Sequence, residues 1–272
     1  WNMSPQYLQE AIEDRINKGK KPKAIIVVHL YGMPAKMEEI IKIANIHNIP
    51  IIEDAAEALG SSVNGKMCGT FGDLNILSFN GNKIITTSGG GALVSHSKEW
   101  IQKARFLATQ ARDPALHYEH SQIGYNYRMS NICAGIGRGQ MEVLEKRVEQ
   151  RRANFEYYKK AFSSVDEICF LEEKEGYFSN RWLTTILIQS NRISPTAIIK
   201  ALTEENIEAR PLWKPMHLQP VFSTAPFYGR SISDNLFEKG LCIPSGSNLS
   251  EKNLAFVADN IKKCIALPQI VV

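Results

Sequence analysis

The sequence predicts an α/β protein whose large domain holds a mostly parallel sheet and whose smaller C-terminal domain is α+β. Two apolar, β-branched runs at 23–29 and 49–53 flank a helical pattern at 36–47. A strand, a helix and a strand joined by short links form a βαβ unit, and such units build parallel sheets. A chain of 272 residues is long enough for two domains with a sizeable core.

The first half of the chain supplies the elements of that sheet. Leu8, Ile12 and Ile16 recur at four-residue spacing, which predicts a short amphipathic helix over 5–17. The run 23–29 (K-A-I-I-V-V-H) is continuous and β-branched, as is typical of a strand buried on both faces. The further elements predicted here are strands at 49–53, 74–79 and 92–95 and helices at 36–47 and 97–109.

The second half begins with a long helical pattern. Apolar residues recur at helical spacing from Ile132 to about 160, with charges between them. Ser194 and Pro195 open a further helix, because proline fits the first turn. We place the large domain at 1–150 and the small domain at 151–272. The other elements predicted are strands at 182–188 and 207–210, helices at 195–204 and 250–265, and a proline-rich loop at 211–226.

Composition argues against several classes of protein. The hydrophobic content of 44% and charged content of 22% are those of an ordinary soluble protein, and a net charge of +4 is too small to indicate a nucleic-acid partner. The 5 cysteines form no C-x-x-C pair and the 6 histidines show no metal-ligand spacing. No apolar run approaches the roughly 20 residues that span a bilayer. We therefore expect a cytoplasmic protein with reduced thiols, no metal site and no membrane partner.

Lys83 and Asp54 are the first candidates for chemistry, since each comes after an apolar, strand-like run. A lysine that forms a Schiff base needs a partly desolvated position, and a pyridine cofactor needs a carboxylate facing its ring nitrogen. Ligands of open α/β sheets bind at the carboxyl ends of the strands, where Asp54 falls. Taken alone, Asp54 could equally cap a following helix, and Lys83 could be a surface residue beside a glycine-rich turn.

Three segments in order make these candidates specific. They are 53–60 (E-D-A-A-E-A-L-G), 72–87 (G-D-x-x-x-x-S-F-x-x-N-K-x-x-T-T) and 124–131 (G-Y-N-Y-R-M-S-N). Together they resemble the DegT/DnrJ/EryC1/StrS family of sugar aminotransferases, which use pyridoxal phosphate (PLP), and the resemblance extends over nearly the whole chain. It implies the type I PLP-dependent transferase fold, like that of aspartate aminotransferase.

The resemblance also implies a role for each matching residue. Lys83 would hold PLP as a Schiff base and act as the catalytic base, and Asp54 would keep the pyridine nitrogen protonated. Ser78 would bind the phosphate, and Glu57 would lie at the 3′ oxygen, where many relatives carry glutamine. Asn126 would reach across a homodimer to the partner's phosphate site.

The reaction implied is transfer of an amino group from an amino acid, with glutamate expected, to a nucleotide-linked keto sugar for polysaccharide or lipopolysaccharide biosynthesis. Relatives that dehydrate sugars carry histidine at the position of Lys83, so lysine favours transamination over a PLP-dependent sugar dehydratase. The run T-T-S-G-G-G at 86–91 is similar to branches that use UDP-linked 4-keto sugars. The two tryptophans in the implied sugar-nucleotide pocket could instead be core or interface residues. The pocket residues implied are Arg181, Trp182, Arg210, Trp213, Lys214 and His217.

Family members extend further at the N-terminus than this sequence does. The start at Trp1 reads as the interior of a larger protein, so we expect the large domain to be incomplete there. The additional segment of the family carries a helix start that binds the PLP phosphate through backbone amides. A second interpretation therefore stays open, namely a catalytically incomplete fragment held together by dimer contacts.

Overall fold

The computed structural model describes residues 1–190 and 192–266. These residues contain three sheets. The strands are β1 Ile25–Val28, β2 Ile51–Asp54, β3 Ser62–Val63, β4 Lys66–Met67, β5 Leu74–Ser78, β6 Gly91–Val94, β7 Ile168–Phe170, β8 Tyr177–Phe178, β9 Thr184–Ile188, β10 Arg210–Pro211 and β11 Gly240–Ile243. The helices are α1 Pro5–Asn17, α2 Met37–His47, α3 Lys98–Ala108, α4 Asn131–Met141, α5 Leu144–Ala161, α6 Pro195–Glu204, α7 Ile232–Lys239 and α8 Glu251–Ala266.

The first sheet has the strand order β1-β2-β5-β6. The first three strands are parallel, and β6 joins the edge antiparallel to β5. Helix α2 connects β1 to β2, which confirms the predicted βαβ unit. Ile25 and Val27 of β1 pack with Ile12 of α1 and Ile40 of α2, so these two helices cover one face of the sheet.

The other face of the sheet departs from the prediction. The run 23–29 was expected to be buried on both sides, but Ile26 is 58% exposed and Val28 38% exposed. Register pairs Val28 with Asp54, Asp54 with Ile76 and Ile76 with Leu93, which places these four residues in one row across the sheet. Ile76 and Leu93 are also exposed. Within the described residues, this face of the sheet is therefore largely uncovered.

The second sheet has the order β10-β11-β9-β7 and is antiparallel throughout. Its inner face packs on α5, α6 and α8 around Tyr158, Ile186, Leu202 and Ile261, all fully buried. The third sheet, β4-β3-β8, is a small one. The proposed boundary between residues 150 and 151 falls inside α5, and the division into 1–150 and 151–272 stays a prediction.

The long helix predicted from Ile132 to about 160 is two helices. Val143 leaves helical geometry with φ −112° and ψ 8°, so α4 ends at Met141 and α5 begins at Leu144. The apolar periodicity continues across the break, which is why the pattern concealed it. Helix α7 and the buried strand β11 were not predicted. The strand expected at 207–210 is reduced to Arg210–Pro211.

The remaining predicted helices are confirmed to within a residue or two, and Ser194 caps α6 as expected. No helix within residues 1–190 and 192–266 combines the length and apolarity needed to cross a membrane.

Candidate active site

The carboxyl ends of the parallel strands gather the predicted residues at one edge of the first sheet. Strand β2 ends at Asp54 and β5 ends at Ser78. Asp54 pairs with Ile76, two residues before Ser78, and the loop that follows β5 carries Lys83. The sequence therefore brings a carboxylate, a hydroxyl and an amine to the edge where α/β sheets bind ligands.

Lys83 lies on a well-anchored loop. Its backbone N–H donates to the carbonyl of Asn80 at 3.0 Å, and the next two residues, Ile84 and Ile85, are buried. Its Nζ lies 3.9 Å from Oε1 of Glu57 and 4.3 Å from the centre of the Trp182 ring. Only 13% of the lysine side chain is exposed. The amine is thus oriented and largely withdrawn from water, as a Schiff-base lysine requires.

Glu57 is held by donors from two distant segments. Its Oε2 accepts from the backbone N–H of Tyr31 at 2.7 Å, and its Oε1 accepts from Nε1 of Trp213 at 3.3 Å. Burial raises the pKa of Glu57 above its ordinary value, and the Tyr31 hydrogen bond and the charge of Lys83 offset this only in part. The carboxyl group beside Lys83 therefore retains a proton more readily than a solvated glutamate.

Asp54 keeps one oxygen available for a ligand. Its Oδ1 accepts from the backbone N–H of Ala56 at 3.1 Å, and within the described part of the chain Oδ2 receives no hydrogen bond. No helix begins here, so Asp54 is not a helix cap. Ser78 Oγ accepts from the backbone N–H of Asn80 at 3.4 Å. An amine, an available carboxylate oxygen and a hydroxyl at one edge form a donor set that fits PLP.

A buried pair, His29 and Glu53, lies next to this edge of the sheet. His29 Nδ1 accepts from the backbone N–H of Ala35 at 2.9 Å, so Nε2 carries the hydrogen that is donated to Glu53 at 2.8 Å. Burial disfavours the charge of Glu53, but the hydrogen bonds from His29 and from the backbone of Gly69 and Phe71 outweigh it and lower the pKa of Glu53. His29 is thus a buried histidine whose two ring nitrogens both have hydrogen-bond partners.

Cys68 lies beside this pair, and the potential ligand atoms of His29, Glu53 and Cys68 fall within 4.8 Å of one another. Sequence spacing did not reveal this group. Both nitrogens of His29 already have partners, and Glu53 also accepts from the backbone of Gly72. A metal ion would have to displace these hydrogen bonds, so we assign the group to structural support.

Two of the predicted pocket residues, Trp182 and Trp213, lie close to each other, and Trp182 also lies against Lys83. Trp182 is 2% exposed and donates from Nε1 to the carbonyl of Asn82 at 2.9 Å, while Trp213 is 37% exposed. Their ring centres are 6.4 Å apart. The sequence left open whether the two tryptophans line a pocket or belong to the core or an interface. In the structure Trp182 is buried against the lysine, whereas Trp213 is partly exposed to solvent.

The structure does not support the predicted role of Arg181. It was expected in the sugar-nucleotide pocket, but its guanidinium is buried 3.7 Å from the centre of the Phe155 ring and donates to the carbonyl of Leu171 at 2.6 Å. Burial lowers the pKa of Arg181, which the nearby charge of Glu173 partly offsets. The backbone of Arg181 has φ +50°, in the left-handed region.

Within the described part of the chain, no hydrogen bond, ion pair or ring contact joins Lys83 to the remaining predicted residues. Arg210 is exposed and pairs with Glu208, and Lys214 is exposed. His217 Nε2 lies 2.7 Å from Asp234 Oδ1. Asn126 is exposed on the loop between α3 and α4, and among the described residues its side chain has no hydrogen-bond partner.

Tyr31 and Asn180 were not among the predicted site residues, although Tyr31 follows β1 and Asn180 immediately precedes Trp182. Asn180 is fully buried, and its Nδ2 donates to the carbonyls of Glu57 and Leu59 at 2.9 Å each. Its Oδ1 accepts from the backbone N–H of Trp182 at 2.8 Å. Asn180 thus fixes Trp182 to the segment that carries Glu57. The only signal for this role in the sequence is its place just before Trp182.

Several known proteins are similar to this chain. EpsN of Bacillus subtilis (strain 168), which is named provisionally as a pyridoxal phosphate-dependent aminotransferase, is 55% identical over 255 residues, covering 92% of this chain and 66% of EpsN. The GDP-perosamine synthase of Escherichia coli O157:H7 is 35% identical over 97% of this chain and 70% of that protein. The chain spans about two thirds of the length of these relatives.

A solved DegT DnrJ EryC1 StrS aminotransferase from Brucella abortus has a TM-score of 0.87 and 29% identity, covering 97% of this chain and 70% of that one. This likeness confirms the type I PLP-dependent transferase fold that was expected. The profile of the DegT/DnrJ/EryC1/StrS aminotransferase family matches residues 1–262. The chain therefore belongs to the DegT/DnrJ/EryC1/StrS family, whose aminotransferases depend on pyridoxal phosphate.

Proposed function

We propose that this chain transfers an amino group from an amino acid, glutamate being the expected donor, to the keto group of a nucleotide-linked sugar. The observation that carries the proposal is the placement of the Lys83 amine 3.9 Å from Glu57, at the sheet edge where β2 ends at Asp54. The relatives named as a GDP-perosamine synthase and a pyridoxal phosphate-dependent aminotransferase support the same reaction class.

Bound PLP supplies an electron sink for the carbanion formed at the substrate Cα. The available Oδ2 of Asp54 would accept from the ring nitrogen and keep it protonated, and Ser78 would donate to the phosphate. Glu57 would lie beside the 3′ oxygen, where its raised pKa allows a proton to be shared with that oxygen instead of two anions facing each other. Lys83 Nζ would take the proton from the substrate Cα and return it at C4′.

The substrate sugar would enter from the side of Trp213. Its indole is partly exposed and can pack against a base or a sugar, while Arg210 and Lys214 on the same segment can meet a diphosphate. His217 would complete this pocket. Arg181 is left out of it because its guanidinium is buried elsewhere.

The functional unit would be a cytoplasmic homodimer that serves polysaccharide biosynthesis. Asn126 lies on an exposed loop that also carries exposed apolar side chains, including Leu116, Ile123 and Tyr127. Such a loop is suited to burial in a partner subunit. A catalytically incomplete fragment is the second candidate, favoured by the uncovered face of the first sheet at Ile26 and Val28.

The test is a two-step assay on the purified chain with added PLP. Glutamate alone should shift the absorbance of the bound cofactor, and a panel of UDP-, dTDP- and GDP-linked 4-keto sugars should then reverse the shift for one of them. Lys83→Ala is the control and should respond to neither. A protein that binds PLP and stays unchanged with every amino acid would contradict the aminotransferase, and one that fails to bind PLP would favour the fragment.

A further inference from the structure

Tyr31 lies in a backbone conformation that a tyrosine adopts only when its surroundings hold it there. It follows β1 with φ 57° and ψ 20°, in the left-handed region, and is 2% exposed. Non-glycine residues in such conformations concentrate at ligand sites, where neighbouring contacts determine them. The contacts of Tyr31 with Glu57 and Trp213 supply that constraint.

Three hydrogen bonds link Tyr31, Glu57 and Trp213 in a closed triangle. The Tyr31 N–H donates to Glu57 Oε2 at 2.7 Å, and the Trp213 Nε1–H donates to Glu57 Oε1 at 3.3 Å. The third runs from the Trp213 backbone N–H to the Tyr31 hydroxyl at 2.7 Å. The rings of Tyr31 and Trp213 also contact, with centres 5.4 Å apart. The triangle joins the end of β1 to the loop after β10.

The turn that carries Tyr31 is fixed from its other side as well. Gly32 has φ +86°, and a Cβ placed there would lie 1.9 Å from Asn180 Oδ1. Asn180 in turn is bonded to the carbonyl of Glu57 and to the N–H of Trp182. The turn therefore cannot shift without moving the groups that surround Lys83.

We infer that Tyr31 is a positioning residue whose hydroxyl holds the Trp213 loop against Glu57. One side of the pocket for the acceptor sugar is then already formed before the sugar binds. This inference rests on the proposed function. Tyr31→Phe removes only the acceptor for the Trp213 N–H, because the bond to Glu57 comes from the backbone. The sugar step should therefore suffer while the amino-donor step, which depends on Lys83 and Asp54, changes little.

The experiment uses the full chain with PLP and compares Tyr31→Phe with Tyr158→Phe. Tyr158 is a matched control, since it is a buried tyrosine whose hydroxyl donates to the carbonyl of Pro244 in the C-terminal core. For Tyr31→Phe we expect the KM for the sugar to rise about fivefold to tenfold, as the loss of one neutral hydrogen bond implies. The kcat and the glutamate step should change less than about twofold.

Hydrogen exchange measured by mass spectrometry provides a readout that does not depend on activity. Peptides covering 211–218 should exchange about fivefold to tenfold faster in Tyr31→Phe and unchanged in Tyr158→Phe. Unchanged exchange in that segment, or an equal increase throughout the protein, would overturn the positioning role. If Tyr31→Phe does not fold, the exchange rate of the Trp213 backbone N–H in the unmodified protein is the test. Slow exchange would support the positioning role, and exchange as fast as in a solvent-exposed amide would overturn it. Failure of the proposed function itself would show separately, as an unmodified protein that does not respond to glutamate.

Discussion

The Nζ of Lys83 lies 3.9 Å from Oε1 of Glu57, and the two side chains are only 13% and 14% exposed. Burial raises the pKa of Glu57, and the nearby charge of Lys83 lowers it by less. Glu57 also faces the charge of Asp54, which adds to the effect of burial on its pKa. The pKa of Glu57 is therefore raised above its ordinary value, and an experiment can follow the consequence.

Glu57→Gln should flatten the pH dependence of stability. The folded pKa of Glu57 lies above its ordinary value of 4.5, so the folded state binds the proton more tightly than the unfolded state. The free energy of unfolding must then fall as the pH rises from about 4.5 through the raised pKa. Glutamine does not titrate, so this part of the slope should vanish. Urea unfolding of the cofactor-free variant and parent across that range measures it, and identical slopes would contradict the assignment.

Asp54→Asn should reduce transamination about a hundredfold or more while the fold stays intact. A neutral amide cannot keep the pyridine nitrogen protonated, and a charge-assisted interaction of this kind contributes about 3 kcal/mol. Steady-state rates and circular dichroism of the variant provide the check. Turnover within a factor of a few of the parent would rule out the role of Asp54.

Glu53→Gln should destabilise the fold by about 3 kcal/mol, because one buried carboxylate accepts from His29 and from several backbone N–H groups. Its folded pKa is lowered, so this stabilisation is present above about pH 4.5 and is lost as the pH falls through the folded pKa. Glu172→Gln is the matched control, since Glu172 forms an exposed pair with Lys159 and should cost less than about 1 kcal/mol. Equal losses in both variants by urea unfolding would refute the assignment.

Mixing two defective subunits should restore activity. A Lys83→Ala chain lacks the amine, and an Asn126→Ala chain lacks the residue proposed to complete the partner's phosphate site. In a heterodimer, one site combines Lys83 from one chain with Asn126 from the other and should work. Activity of the mixture should exceed that of either variant alone, with subunit exchange followed by a purification tag. Heterodimers that form but remain inactive would remove Asn126 from the shared site.

Much of the fold could be predicted because local patterns and packing agree. The β-branched runs of β1 and β2 and the helix between them fix a parallel unit, and its geometry brings Asp54 to the ligand edge. The segment from Ser78 to Lys83 follows the same edge, because β5 ends at Ser78. Short motifs with one dominant chemical reason are the part of a site that sequence reveals best.

The parts of the site that the sequence did not predict depend on contacts between distant segments. Asn180 and Tyr31 act through partners more than 100 residues away, and no local pattern encodes such partners. Arg181 was expected in the sugar-nucleotide pocket, but its guanidinium packs against Phe155, a contact that no local pattern encodes. The break at Val143 was hidden by apolar spacing that continues through it. Burial of 23–29 was overestimated because β-branched composition reports the strand and not what covers it.

The identity of the lysine that binds the cofactor is the most direct test of the account. The purified chain is mixed with PLP, reduced with borohydride, digested and analysed by mass spectrometry, with Lys83→Ala treated in parallel. We predict a pyridoxyl group on the peptide that contains Lys83 and none in the variant. A pyridoxyl group on another lysine, or equal labelling of the variant, would contradict the assignment of Lys83 and with it the proposed function.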